Sequence, residues 1–231
     1  MKKNLIPIKF LQTPTDNSIT IRDLKSFWGK VFTLILEREK HFKNIWKQSC
    51  DEEIFAELIF CLLTPQSRAI ICWNAVKELI AKNMLLNLKS TDIVKIINKV
   101  RFKNNKAKYI INARELFTIN NKIKIKEKIM SFKDIIKLRK WLILNVKGLG
   151  YKEASHFLRN IGLGKNLAIL DRHILRNLKI YEVIEEVPKT LTTKTYLEIE
   201  KRMQNFAKRT RIPMSHLDML FWCKNTGGIF K

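Results

Sequence analysis

Three observations predict an all-α fold. Glycine and proline are scarce, 7 and 5 among 231 residues. Apolar residues recur at helical spacing nearly throughout. Beyond residue 20, no sustained alternation of apolar and polar residues marks a strand. Together these describe ten or so short helices joined by short connections.

The helices can be taken in order. Glu53 to Leu63 is an apolar-rich segment stopped at Thr64-Pro65, and a second candidate runs from Ser67 to about Lys82. A third opens at Ser90-Thr91-Asp92, residue types that cap helix N-termini. Asn105 to Phe117, Phe132 to Asn145, Tyr151 to Ile161, Arg172 to Leu178, Thr192 to Lys208 and Ser215 to Trp222 complete the set. The first forty residues add little. Neither an internal repeat nor a low-complexity linker interrupts the chain, so any two lobes pack together rather than being tethered.

A hydrophobic share of 46% with 10% aromatics supports a real core and excludes a disordered chain. The length suits one or two domains. No apolar run approaches the ~18 residues of a membrane span. The segment from Met1 to Lys9 is basic but lacks a long apolar stretch, so no signal peptide is expected. The four cysteines (Cys50, Cys61, Cys72 and Cys223) form no C-x-x-C pair. A disulfide scaffold, a zinc knuckle and a four-cysteine iron–sulfur cluster therefore do not fit. For Cys50, Cys61 and Cys72, buried small apolar residues are the expected role. Neither metal nor cofactor is implied, and an intracellular, reduced protein is expected.

Charge points to a partner. There are 45 Lys+Arg against 21 Asp+Glu, a net +24 with a pI of about 10.0. Genome-wide lysine bias usually raises glutamate too, yet here the acids number less than half the bases. Such an excess collects polyanions, nucleic acids foremost.

Chemistry is to be sought among the glycines. Gly148, Gly150, Gly162 and Gly164, four of the seven, fall within seventeen residues and bracket one short helix. Ala154, Phe157, Leu158 and Ile161 stand at i, i+3, i+4 and i+7, so that face is core. Lys152 lies about 200° round the helix from Ala154 and points away from it. Glycines let the backbone turn tightly and approach a ligand, and the following helix's free N–H groups form an anion site. A helix–Gly-x-Gly–helix unit suits a DNA phosphate, with Lys147 alongside. A plain helix–helix turn is the alternative.

Beyond Gly162-Leu163-Gly164 comes an apolar run, Leu167-Ala168-Ile169-Leu170, and then Asp171-Arg172-His173. Here the sequence resembles the helix-hairpin-helix, glycine-rich loop and aspartate signature (HhH-GPD) of the DNA glycosylase superfamily that includes endonuclease III. In that pattern a lysine follows the hairpin glycines and an aspartate comes just under twenty residues later; Lys152 and Asp171 match both positions. The segments Lys152 to Asn160, Ile169 to His173 and Trp222 to Lys231 resemble the archaeal-type (type 2) 8-oxoguanine DNA glycosylase/AP lyases. The likeness covers most of the chain from about Asp51 onward.

The resemblance implies two α-helical lobes with the active site in the cleft between them. Residues 46–165 would make the middle lobe, ending in the hairpin. Residues 1–45 and 166–231 would make the other, carrying the aspartate and the C-terminal tail. The function implied is base-excision repair of duplex DNA containing 8-oxoguanine, by a monomer in the cytoplasm or nucleoid of an archaeal or bacterial cell.

The residue types suit that chemistry. An N-glycosidic bond breaks through an oxocarbenium-like sugar, whose positive charge a carboxylate stabilises. A lysine made neutral by desolvation or neighbouring cations attacks C1′ and forms a Schiff base. The imine acidifies the C2′ hydrogens, and β-elimination of the 3′ phosphate follows. Lys152 is the candidate nucleophile, with a solvated or phosphate-contacting lysine as the alternative. Asp171 is its electrostatic partner, and also fits an N-cap for the helix from Arg172; the two roles can coexist. His173 is assigned no catalytic role.

An extruded base leaves a gap to fill. By resemblance, Gln66, in the Thr64–Arg68 turn, would pair with the widowed base. Phe102, in the segment Val100–Lys106, would be a wedge; ordinary core is the other reading. The tail implies the substrate. The type 2 family ends in a lysine nine residues beyond a tryptophan, as Trp222 and Lys231 do here. The implied pocket sets Lys231, Trp222 and Asp218 on the base, although Trp222 also fits a core anchor and Asp218 a structural carboxylate. 8-Oxoguanine carries an N7–H donor that guanine lacks, so one acceptor aimed at it discriminates by roughly 1–3 kcal/mol. The four-cysteine cluster common in endonuclease III relatives is missing. A glycosylase for another damaged base would keep Lys152 and Asp171 without needing that tail. A non-enzymatic hairpin DNA-binding module would explain charge and glycines but not Asp171.

Overall fold

The computed structural model describes residues 20–82 and 89–228. Among them are eleven helices and one two-stranded hairpin, an all-α architecture. They divide into two compact units: Lys43 to Gly164, and the residues up to Phe42 with those from Lys165 onward. No described helix is long and apolar enough to cross a membrane.

The middle unit is assembled around α2 (Asp51–Leu63), whose residues from Ile54 to Leu63 are all buried. A helix apolar on every side belongs at a centre. Around it pack α3 (Ala69–Ala81), α5 (Lys103–Phe117), α6 (Ile125–Met130) and α8 (Tyr151–Asn160). Glu57 is the buried exception on α2, and its Oε2 accepts from Asn160 Nδ2 at 3.2 Å. The remaining elements are α4 (Ser90–Ile96), α7 (Ile135–Asn145) and the strands β1 (Thr118–Ile119) and β2 (Lys122–Ile123). The strands pair antiparallel through a turn at Asn120 and Asn121, whose φ values of 49° and 57° suit asparagine.

In the other unit, α11 (Met214–Thr226) is buried continuously from Met214 to Phe221. Against it pack α9 (Arg172–Ile180) and α10 (Thr193–Thr210). The long α1 (Ile21–Gln48), whose residues as far as Phe42 belong to this unit, is tied to α11 where Trp28 Nε1 donates to His216 Nδ1 at 3.2 Å and Ser215 Oγ donates to Glu39 Oε1 at 3.1 Å.

Three local expectations need correction. First, the expected set of helices starts at Glu53, yet α1 precedes it with 28 residues; its buried Leu24, Val31, Ile35, Phe42 and Ile45 form a helical stripe hidden among charges. Second, α3 begins at Ala69, not Ser67, because the Ser67 N–H closes the preceding turn onto Thr64 O at 3.0 Å. Third, Cys50 is exposed, since it precedes α2, whereas Cys61, Cys72 and Cys223 are each buried within their own unit.

Candidate active site

The hairpin between α7 and α8 depends on Gly148. Its φ of +94° lies where side chains are disfavoured, and a Cβ there would overlap the Tyr109 ring. Gly150, extended, caps α8. Glu153 reaches back from the third helical position, its Oε2 accepting the Gly150 N–H at 3.3 Å. The first turn of α8 leaves its N–H groups outside the helical ladder, with Lys147 exposed nearby in sequence.

Lys152 sits in that first turn, its side chain 27% exposed and its Nζ 2.9 Å from Glu153 Oε1. Ala154, Phe157, Leu158 and Ile161 form the buried face as expected. Behind the turn stands Arg139 of α7, 1% exposed. Its guanidinium donates to Ser155 Oγ at 3.1 Å and lies over the Tyr151 ring at 5.1 Å.

Asp171 caps α9 with one oxygen: Oδ1 accepts from His173 N at 2.7 Å and Ile174 N at 2.8 Å. Oδ2 takes no hydrogen bond among the described residues, so a carboxylate can cap and still present charge. The preceding Leu167–Leu170 segment is buried and held from α10. Tyr196 Oη donates to Ala168 O at 2.6 Å and accepts from Leu170 N at 3.4 Å, while Ala168 N donates to Glu200 Oε1 at 2.8 Å.

Gln66 is exposed in the α2–α3 turn at φ 54°. Phe102, immediately before α5, has φ 59° and is 51% exposed, so the core reading fails for it. Both side chains stand on left-handed backbone, a conformation that costs a non-glycine residue about 1–2 kcal/mol. Arg101 lies over the Phe102 ring at 5.0 Å. The segment from Val100 to Lys106 is a loop only as far as Phe102; α5 begins at Lys103, and Lys106 is buried within it.

In the tail, Asp218 is buried at 7% exposure, while Trp222 is half-buried with its ring edge-on to His173 at 5.1 Å. Trp222 is thus brought to the N-terminus of α9, where Asp171 is the cap. Lys224 Nζ donates to Tyr181 Oη at 3.1 Å. Lys231 lies outside the described residues.

Within the middle unit the structure also joins the Gln66 turn to the Phe102 segment, since Arg101 N donates to Ser67 Oγ at 3.0 Å. Sequence reasoning passed over Glu153, Arg139 and Lys106, yet each had a signal. Glu153 occupies the capping position three residues after Gly150. Arg139 interrupts the apolar stripe Ile135, Leu138, Leu142, and Lys106 begins the stripe continued by Ile110, Ala113 and Phe117.

These features define an all-α helix-hairpin-helix protein. A model described as 8-oxoguanine DNA glycosylase matches residues 35–212, and the chain belongs to that family. The 8-oxoguanine DNA glycosylase/AP lyase of Fusobacterium nucleatum is 46% identical over 209 residues, 90% of this chain and 96% of its own. That of Korarchaeum cryptofilum is 38% identical over 213 residues, 91% and 97% of the two chains. The Methanocaldococcus jannaschii 8-oxoguanine glycosylase/lyase, solved in complex with a 15mer DNA containing 8-oxoguanine, superposes with a TM-score of 0.81 at 35% identity, over 91% of this chain and 99% of that one.

Proposed function

We propose that this chain excises 8-oxoguanine from duplex DNA and then cuts the strand at the abasic site. Lys152, in the first turn of α8 directly after the glycine hairpin, carries the proposal. Its neutral amine attacks C1′; the bond from C1′ to the base nitrogen breaks, and its electron pair leaves with the base, which takes up a proton. The sugar ring opens to an imine on Nζ. Loss of a C2′ proton then expels the 3′ phosphate with the C3′–O electron pair. Asp171 stabilises the positive charge developing at C1′ through the oxygen its cap leaves unbonded.

The other assignments are parts of the same proposal. Lys147 and the backbone of Gly148 and Gly150 bind a DNA phosphate at the head of α8. Gln66 and Phe102 fill the gap left by the flipped base. Trp222, Lys231 and Asp218 contact the base itself. The protein acts as a monomer alongside the chromosome, and the two-lobe frame expected from the resemblance would carry these groups. Family membership and the names of the relatives support this activity over a non-enzymatic DNA-binding module.

Borohydride treatment with an 8-oxoguanine duplex tests it. A covalent protein–DNA adduct is expected with the natural chain and none with Lys152→Gln. An adduct in that variant overturns the nucleophile, and no release of 8-oxoguanine by the natural chain overturns the activity.

A further inference from the structure

Lys106 is 3% exposed, yet it carries an ammonium group. Each of the group's three N–H bonds has a partner: Leu63 O at 2.7 Å, Pro65 O at 2.7 Å and Ser67 Oγ at 3.2 Å. The Leu63 carbonyl is at the C-terminal end of α2, the negative pole of that helix and a favourable place for a cation, and the Pro65 carbonyl belongs to the turn that follows. All three flank Gln66. The lysine itself starts the second turn of α5, four residues after Phe102, and its own N–H donates to Phe102 O at 3.0 Å. Ser67 Oγ accepts a second bond, from Arg101 N, the residue before Phe102. The two left-handed residues are therefore the tips of two segments fastened to each other through one ammonium and one hydroxyl.

We propose that Lys106 is a positioning residue that makes the Gln66 turn and the Phe102 segment enter the duplex as one rigid unit. This rests on the gap-filling roles proposed above for those two tips. Left-handed conformations at a glutamine and a phenylalanine persist only where the surroundings over-determine them. Lys106 supplies that constraint from inside, without touching DNA. Its electrostatic neighbours are Cys72 on α3 and Lys152 and Glu153 on α8. The fastening thus lies close to the first turn of α8, and the proposal gives it no part in bond breaking.

The test separates base extrusion from strand cutting in the full chain. Single-turnover release of 8-oxoguanine requires the base to leave the stack; cutting a preformed abasic duplex does not. A 2-aminopurine beside the lesion reports unstacking. Lys106→Met keeps the length and removes the donors. It is expected to slow 8-oxoguanine release and the fluorescence rise by about tenfold or more, with cutting of abasic duplex within about threefold of the natural chain. Lys106→Arg should recover part of the loss. Should Lys106→Met fail to fold, Ser67→Ala removes the shared acceptor and keeps the cation, and the same pattern, weaker, is expected. Natural-rate 8-oxoguanine release by both variants, or equal loss of release and of abasic cutting, overturns the proposal. Gln66→Ala and Phe102→Ala are run beside them. If neither slows release, the gap-filling assignment fails; if both do and Lys106→Met does not, only the fastening fails.

Discussion

Lys152 and Glu153, adjacent in the chain, meet at 2.9 Å, and the other oxygen of the same carboxylate holds the N–H of Gly150 at 3.3 Å. One side chain thus restrains both the glycine hairpin and the lysine after it. A partly exposed pair of this kind is worth about 0.2–1 kcal/mol. Glu153→Gln, which can keep the bond to Gly150, should therefore change borohydride trapping on abasic DNA by less than about fivefold. Glu153→Ala also loses the cap and should melt at a lower temperature. A hundredfold fall in trapping for Glu153→Gln would make the carboxylate part of the chemistry.

Asp171 offers a cleaner separation of roles. Asparagine caps helices as well as aspartate, so Asp171→Asn should keep the thermal stability of the natural chain. Without the negative charge, release of 8-oxoguanine should fall by about 10²–10³-fold, the scale of losing one preorganised electrostatic group. Asp171→Ala should add about 1 kcal/mol of destabilisation from the lost cap. Single-turnover release and thermal unfolding of both variants check this, and unchanged release in Asp171→Asn would remove the residue from the reaction.

The two hairpin glycines should respond differently to alanine. At Gly148 the φ of +94° and the Tyr109 ring both oppose a side chain, and a loss of about 1–3 kcal/mol in unfolding measurements is expected. At Gly150 the φ is −99° and a Cβ would meet only the movable end of Glu153, at 3.2 Å. Gly150→Ala should stay within about 1 kcal/mol of the natural chain.

Tyr196→Phe removes a hydroxyl that serves both Ala168 O and Leu170 N. Leaving buried backbone groups unpaired costs about 1–3 kcal/mol. Because these groups belong to the segment running into Asp171, 8-oxoguanine release should slow while affinity for undamaged duplex is unchanged. Equal losses in both, measured at one salt concentration, would refute a local effect.

Stability should carry a signature of Lys106 in mild alkali. Burial, the largest cause, pushes its ammonium from the ordinary 10.5 down to about 8; Lys152 adds to the fall, and Cys72 and Glu153 oppose it. Between those values the unfolded chain keeps a proton that the folded chain has released. Folding therefore gains stability as pH rises, by at most about 1.4 kcal/mol per pH unit. Cys72, raised by burial to about 11, acts in the opposite sense above its ordinary 9.0. The window is thus pH 8 to 9, where urea unfolding should rise more steeply for the natural chain than for Lys106→Met. Parallel curves would contradict the shift.

What could be read from the sequence was local. The Gly-x-Gly turn, the apolar stripe of α8 and the cap at Asp171 each involve residues within a few positions of one another, so spacing alone expresses them. The partners of Lys106 lie 43, 41 and 39 residues away, and only folding brings them together. Its place on an apolar stripe signalled burial, but not what it would hold. The exposure of Phe102 was undecided because an aromatic residue serves a core and a wedge equally well. For Trp222, the ring of His173 is a contact between two helices that no spacing rule contains.

The left-handed backbone at Gln66 and Phe102 also sets a limit on how this protein can be made hardier. Glycine at either position relieves the conformational penalty, and at Phe102 it also withdraws an exposed ring from water. Selection for heat resistance alone, in the laboratory or in a warming habitat, would favour those exchanges. Selection for genome maintenance would resist them, because each removes a side chain assigned to hold the duplex open. Two of the least comfortable residues in the fold are therefore where durability and repair pull against each other.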